Sequence, residues 1–322
     1  MSKWKQKIKV ITLLNALALG AMYAINRVIS ATSILKNLLK SGSGKYYHWK
    51  FGNLFYRKTG SGKPLLLIHD LNPISSGYEW GKLEERLGKN HTVYTIDLLG
   101  CGRSDKPGMT YTNYLYVQMI SDFIKDVIGE KTSVAATGLS SSFVIMADFS
   151  NSELFDQILM INPVSLKKMN QIPEEKSKIL KSIMFLPILG TMLYHIETNY
   201  RNIEYILTEQ YIYNPFRIEQ KHIDAYYEAA HHESGNGKYL KASLDGYYLN
   251  CNIQNALSKS NKNICILYGD KMEMEKKVAE EYQRINPSIS SALLYNAKFL
   301  PHLETPEEML KQIELCLSSE KR

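Results

Sequence analysis

The segment Thr137-Gly138-Leu139-Ser140-Ser141-Ser142 places a serine two residues after a glycine, directly behind an apolar run at 133–137 (SVAAT). A strand that meets a helix through a tight turn can present a serine at its point, provided small neighbours let the backbone crowd together. The stretch matches the G-x-S-x-G pattern in its first Gly and its Ser, with Ser142 in place of the second Gly. Its chemistry would be nucleophilic. A serine hydroxyl attacks once a histidine takes its proton, an acid orients that histidine, and backbone N–H groups receive the developing oxyanion. The bland alternative is a serine-rich helix cap.

Two further segments give the turn a context. Asp97-Leu98-Leu99-Gly100-Cys101-Gly102-Arg103-Ser104 resembles the D-x-x-G-x-G-x-S loop of the α/β-hydrolase fold superfamily. Leu67-Ile68-His69-Asp70-Leu71 resembles its H-G oxyanion strand end, with Asp70 where Gly is usual. The order of segments fits, and the resemblance covers about residues 45–318. It implies Ser140 as nucleophile, Leu71 and Ser141 as backbone donors of the oxyanion hole, and His69 and Asp70 in supporting positions.

The other two members of a triad are missing from their slots. The acid's place, three residues after Gly269, holds Met272, and the histidine's place holds Phe299. Neither side chain can orient or accept a proton. Asp270, Glu273 and Glu275 lie near the first slot, and Asp270 is the candidate acid. His302, three residues past the second slot, is the candidate displaced base, although a packing role suits that position as well. A water held by Asp70 is another possible base. His195, His222, His231 and His232 fall in a helical stretch with no evident third metal ligand, so neither metal nor cofactor is expected.

The elements that must position these residues follow from periodicity. Short apolar runs at 64–69, 92–97, 133–137, 155–162, 264–269 and 291–295 each end near Gly, Asp, Asn or His, as parallel strands covered on both faces do. A hairpin about Gly52-Asn53 precedes them, and a helical pattern covers 115–128. The alternation predicts an α/β fold with a doubly wound, mostly parallel sheet. Residues 165–245 break the rhythm with a helical, Tyr-rich stretch read as a lid inserted between core segments 45–164 and 246–322.

Residues 1–44 form a basic arm. Of the 39 Lys and Arg, 12 fall before residue 70, where no acidic side chain occurs, leaving the remainder with a net charge of −5. A body with that balance does not suit nucleic acid. Residues 10–25 (VITLLNALALGAMYAI) carry no charge, and Lys3, Lys5, Lys7 and Lys9 precede them. A membrane-anchor helix over about 8–29 is expected, with an interfacial helix and a cleaved signal peptide as alternatives. Arg27, Lys36 and Lys40 follow the run, so its basic flanks cancel and orientation stays open. Cys101, Cys251, Cys265 and Cys316 lack paired spacing and are expected as free thiols.

Two functional classes emerge. One is a membrane-anchored serine hydrolase of carboxylic esters or related acyl compounds. The other is a degenerate, non-catalytic member that binds a lipid-like or small apolar ligand. Epoxide hydrolysis is disfavoured, because that branch places Asp at the turn.

Overall fold

The computed structural model describes residues 3–40 and 43–318, the side chains of 273–275 excepted. After a long helix α1 (Lys3–Thr32), the strands are β1 (Gly44–Trp49), β2 (Gly52–Thr59), β3 (Lys63–Ile68), β4 (His91–Ile96), β5 (Thr132–Thr137), β6 (Phe155–Ile161), β7 (Asn263–Gly269) and β8 (Ser290–Leu294). They form one eight-stranded sheet in the order β1-β2-β4-β3-β5-β6-β7-β8. The first two strands pair antiparallel, β2 runs antiparallel to β4, and all other pairings are parallel.

Between these strands run α2 (Gly81–Leu87), α3 (Asn113–Phe123) and α4 (Ser140–Ser150). A helical insert then follows β6: α5 (Leu166–Met169), α6 (Glu175–Phe185), α7 (Leu189–Glu197), α8 (Tyr200–Tyr205), α9 (Gln220–His231) and α10 (Gly237–Asp245). The chain closes with α11 (Gln254–Lys259), α12 (Glu273–Ile285), α13 (Pro301–Glu304) and α14 (Pro306–Ser318).

The expected doubly wound sheet is present, and burial explains why its strands read so clearly. Leu65 and Leu67 of β3 enter the core on one face, while Leu66 and Ile68 enter the core on the other. With both faces covered, alternation gives way to continuous apolar sequence. The hairpin differs in its turn, which falls at Lys50 and Phe51, with Gly52 already opening β2.

The loop after β4 is locked by a buried ion pair. Asp97 accepts from Arg103 Nε at 2.7 Å, from Nη2 at 2.8 Å and from the Arg103 and Gly77 amides. Burial alone would raise the Asp97 carboxyl, but the Arg103 guanidinium outweighs it and holds the group well below the usual range. Arg103 also donates to the Leu39 carbonyl, tying the arm to the body.

Among the described residues α1 is the one helix long and apolar enough to cross a membrane, with its most apolar window wholly unburied. Its C-terminal part docks on the insert. Asn26 donates to the Ile188 carbonyl at 3.1 Å, and beyond the end of the helix the Leu38 and Leu39 amides donate to the Glu228 carboxylate.

The expectation of four free thiols is corrected at one pair. Cys265 on β7 and Cys316 on α14 are joined as a disulfide, whereas Cys101 and Cys251 are free. The partners are 51 residues apart, so only the packing of the last helix beside the sheet brings them together. Alkylation of the unfolded chain should therefore mark two thiols without reductant and four after reduction, counted by intact mass. Four without reductant would contradict the pairing.

Candidate active site

Strand β5 is lined with small residues, Ala135 and Ala136, and the chain turns immediately after Thr137. The left-handed residue of that turn is Gly138, with φ +56°. Helix α4 begins at Ser140, so the serine expected at the point of the turn lies instead within the first helical turn. Its hydroxyl is fully buried and donates to the His69 carbonyl at 2.7 Å. Ser141 Oγ donates to the Ala136 carbonyl and Ser142 Oγ to the Leu139 carbonyl. The three hydroxyls thus knit the helix start to its surroundings.

In a strand–turn–helix nucleophile site the reactive side chain sits on the strained residue, and the amide after it forms half of the oxyanion hole. Those positions here are Gly138 and Leu139. Shifted by two residues, Ala136-Thr137-Gly138-Leu139-Ser140 reads small-x-Gly-x-small, a pattern the sequence contains but the nearby serines obscure.

In this chain the place of such a hole is filled by the protein. Asp70, just beyond the end of β3, directs its carboxylate across the turn, and Oδ1 accepts from the Leu139 amide at 2.9 Å. The Leu71 amide also hydrogen-bonds this carboxyl. Burial pushes the Asp70 pKa up to about 6, against the pull of these two donors. The position expected for Ser141 as a donor is corrected: its N–H is engaged by the Gly138 carbonyl at 3.3 Å, inside the turn.

Asp70 and a side chain at 138 exclude one another. A Cβ built on Gly138 would lie 2.7 Å from Asp70 Cγ and 3.1 Å from Phe299 Cζ. Real Cβ atoms do not approach a carboxyl carbon so closely, and the positive φ adds strain of its own.

His69 braces this loop. Its Nε2 accepts from the Leu98 amide at 3.0 Å, which leaves Nδ1 to donate to the Asp70 carbonyl at 2.7 Å. Burial lowers its pKa to about 4, so the ring is neutral.

Of the remaining candidates, His302 meets the end of β5 beside the turn and Asp270 lies apart from it. His302 Nε2 bonds Thr137 Oγ1 at 2.9 Å, and its ring packs edge-on against Trp80. Burial depresses its pKa to about 3. The hydroxyl of Ser140 faces a carbonyl rather than this imidazole. Asp270 accepts from the Ala297 amide at 3.3 Å and pairs with Lys271 at 3.1 Å. With Met272 it lines a separate cavity against α12. The side chains of Glu273 and Glu275 lie outside the described residues.

Phe299 is held by backbone: its amide and that of Leu300 donate to the Tyr211 carbonyl, and its ring lies 4.8 Å from the Tyr211 ring. It faces a cavity of about 570 Å³ between the sheet and the insert. Asp70, Leu71, Leu139 and Phe299 form part of its lining. Val164, Leu244 and Tyr247 line it too, together with the charged Lys168, Lys241 and Asp245. Ser140 and His302 are not among its lining residues.

Comparison with known proteins agrees with the architecture. No protein-family model matches the chain. An uncharacterized protein of Mycobacterium tuberculosis is 26% identical over 113 residues, 35% of this chain and 33% of that relative. A soluble epoxide hydrolase of Corynebacterium sp. is 24% identical over 178 residues, 54% of this chain and 62% of that relative. The matches thus span about a third of the first relative and under two thirds of the second. Among solved structures, an epoxide hydrolase without ligand superposes with TM-score 0.70 and 17% identity, covering 85% of this chain and 98% of that one. A membrane phospholipase A described as a bacterial virulence factor gives TM-score 0.67 and 17% identity, covering 97% of this chain and 98% of that one. The chain has the α/β-hydrolase fold.

Two stability measurements check the site. Gly138→Ala should destabilise by about 2 kcal/mol or more in denaturant melts, and less in an Asp70→Gly background, giving a coupling of about 1 kcal/mol. Strict additivity would separate the two residues. For pH, an aspartate near 3.9 unfolded and about 6 folded retains a proton in the folded state that the unfolded state has lost. Its contribution therefore declines as pH rises through that window, by on the order of 3 kcal/mol, and is flat above it. Asp70→Asn removes this decline, so the variant should gain stability relative to wild type between pH 4 and 6. The Glu79 carboxyl, pushed up to about 8 by burial, with the Asp70 charge raising it as well, titrates above this window.

Proposed function

We propose that this chain is a membrane-tethered, non-hydrolytic protein of the α/β-hydrolase fold, which binds a lipid-like ligand in the cavity above the turn. The helical insert at 165–245 serves as its lid, and α1 as its tether. One observation carries the reading: the Asp70 carboxylate stands where an oxyanion would form, and no side chain fits at Gly138 while it is there.

An oxyanion hole accelerates acyl transfer by offering unengaged N–H donors to charge that develops in the transition state, each worth about 3 kcal/mol. A fixed carboxylate in that place both uses the donors and repels a second negative charge. Phe299, in the histidine's slot, presents a ring with no proton acceptor. The same ring contributes apolar surface, with Leu71, Val164 and Leu244, to a cavity sized for a small ligand. Tyr211, Tyr247 and Asn250 add hydroxyl and amide groups that can orient a polar head.

Hydrolysis through Ser140 is the competing reading, favoured by the names of the similar proteins. Against it stand the buried hydroxyl and its carbonyl partner.

Membranes bearing the protein are to be treated with a fluorophosphonate, which labels activated serines. Wild type and Ser140→Ala should both stay unlabelled. Labelling of wild type that Ser140→Ala abolishes would overturn the proposal. The triple variant Asp70→Gly/Gly138→Ser/Phe299→His empties the hole, restores a hydroxyl and supplies an imidazole. It should acquire labelling above the wild-type background.

A further inference from the structure

The insert carries apolar surface that the cavity does not use. On α6, Ile179 and Ile183 are spaced one helical turn apart, and Leu186 follows on the same side. These three are exposed, at 62%, 37% and 46%. Ile172 before α6, and Leu189 and Ile196 on α7, extend the exposed apolar surface. Lys178, Ile179, Ser182, Ile183 and Leu186 line a shallow apolar groove of about 380 Å³. The two helices meet at 103°, so Leu186 and Leu189 stand at a projecting corner.

That corner is where α1 joins the body. Asn26, buried at the junction, donates to the carbonyl of Ile188, inside the α6–α7 turn. Before it, residues 3–25 of α1 are almost wholly exposed, including Leu13, Leu14 and Leu17 at about 60% each. The uncharged residues 10–25 reach about 24 Å, and the Lys7 and Lys9 stems can snorkel to cover the rest of a ~30 Å hydrocarbon core. A span that ends at Asn26 therefore delivers the α6–α7 corner to the membrane surface. Arg27 on α1 and Lys176 on α6 are exposed beside these apolar residues, placed to reach headgroups.

We infer that the α6–α7 corner is a second membrane-seating element, dipping into the lipid interface beside α1. This inference rests on the membrane-tethered reading and adds a seat for the body itself. The occupant of the apolar corner is the bilayer, because the corner is continuous with the exposed surface of α1. The seat also bears on the ligand. Lys168 lies on the cavity wall, and Asn250, also on that wall, donates to the Lys168 and Gln171 carbonyls, one residue before the exposed Ile172. The cavity and the seated edge thus share the 168–172 stretch of chain.

The test uses the full chain reconstituted into phosphatidylcholine–phosphatidylglycerol vesicles containing nitroxide-bearing lipids. Single cysteines are introduced by Ile179→Cys, Tyr23→Cys and Lys89→Cys, each labelled with an environment-sensitive fluorophore. Lys89 precedes β4, at the end of the sheet away from the insert. Wild type, treated in parallel, reports the native thiols. Emission at Ile179→Cys should be blue-shifted and quenched by the nitroxide lipids to within about twofold of Tyr23→Cys, with Lys89→Cys unquenched. Quenching at Tyr23→Cys with solvent-like emission at Ile179→Cys would overturn the seat and leave the tether standing. Solvent-like emission at both positions would overturn the tether and the seat together.

Discussion

A single carboxylate sets the character of this protein's central turn. Asp70 leaves the end of β3 and accepts the amide of Leu139, with the Leu71 amide beside it. Much of the neighbourhood follows from that placement. The residue at the point of the turn must lack a side chain, because a Cβ there would meet Asp70 Cγ at 2.7 Å. The His69 ring must be neutral to accept from Leu98 and donate to the Asp70 carbonyl, and burial keeps it so. The cavity floor then carries a fixed negative group where a hydrolase would keep its donors free. The turn, the brace and the floor are consequences of one interaction.

The fold was largely legible from residues alone because its strands are covered on both faces. Runs such as Leu65-Leu66-Leu67-Ile68 have no solvent face to interrupt them, and strand bounds agree with the sequence to within a residue or two. At the places where the resemblance expects an acid and a histidine, Met272 and Phe299 carry side chains that neither orient nor accept a proton. The turn was not legible. In Thr137-Gly138-Leu139-Ser140 two registers of one small-residue pattern overlap, and a serine attracts the functional assignment. Which residue occupies the point depends on where β5 stops, and that is decided by its pairing with β3 and β6. Asp70 stood out as a departure at a glycine position, but the direction of its side chain is a tertiary fact. The same holds for His302, whose imidazole meets Thr137 and Trp80 rather than the Ser140 hydroxyl.

Charge and apolar surface divide the molecule in a related way. The basic surplus lies in the arm, and the body after residue 69 is acidic on balance. The arm is no loose tail, because Asn26, Lys36, Leu38 and Leu39 all bond to the insert, and Arg103 reaches back to Leu39. Arm, insert and cavity are thereby mechanically continuous. On the proposed reading, the fold keeps a cavity beneath its helical insert and engages the Leu139 and Leu71 amides with its own Asp70 side chain.

The Leu139 amide reports that exchange most directly. In full-length protein carrying ¹⁵N-leucine, its ¹H–¹⁵N shift should titrate with a midpoint near the Asp70 pKa of about 6, and the titration should vanish in Asp70→Asn. A Leu139 shift that is flat across that range in the wild type, or that titrates unchanged in Asp70→Asn, would contradict the occupied hole on which the account rests.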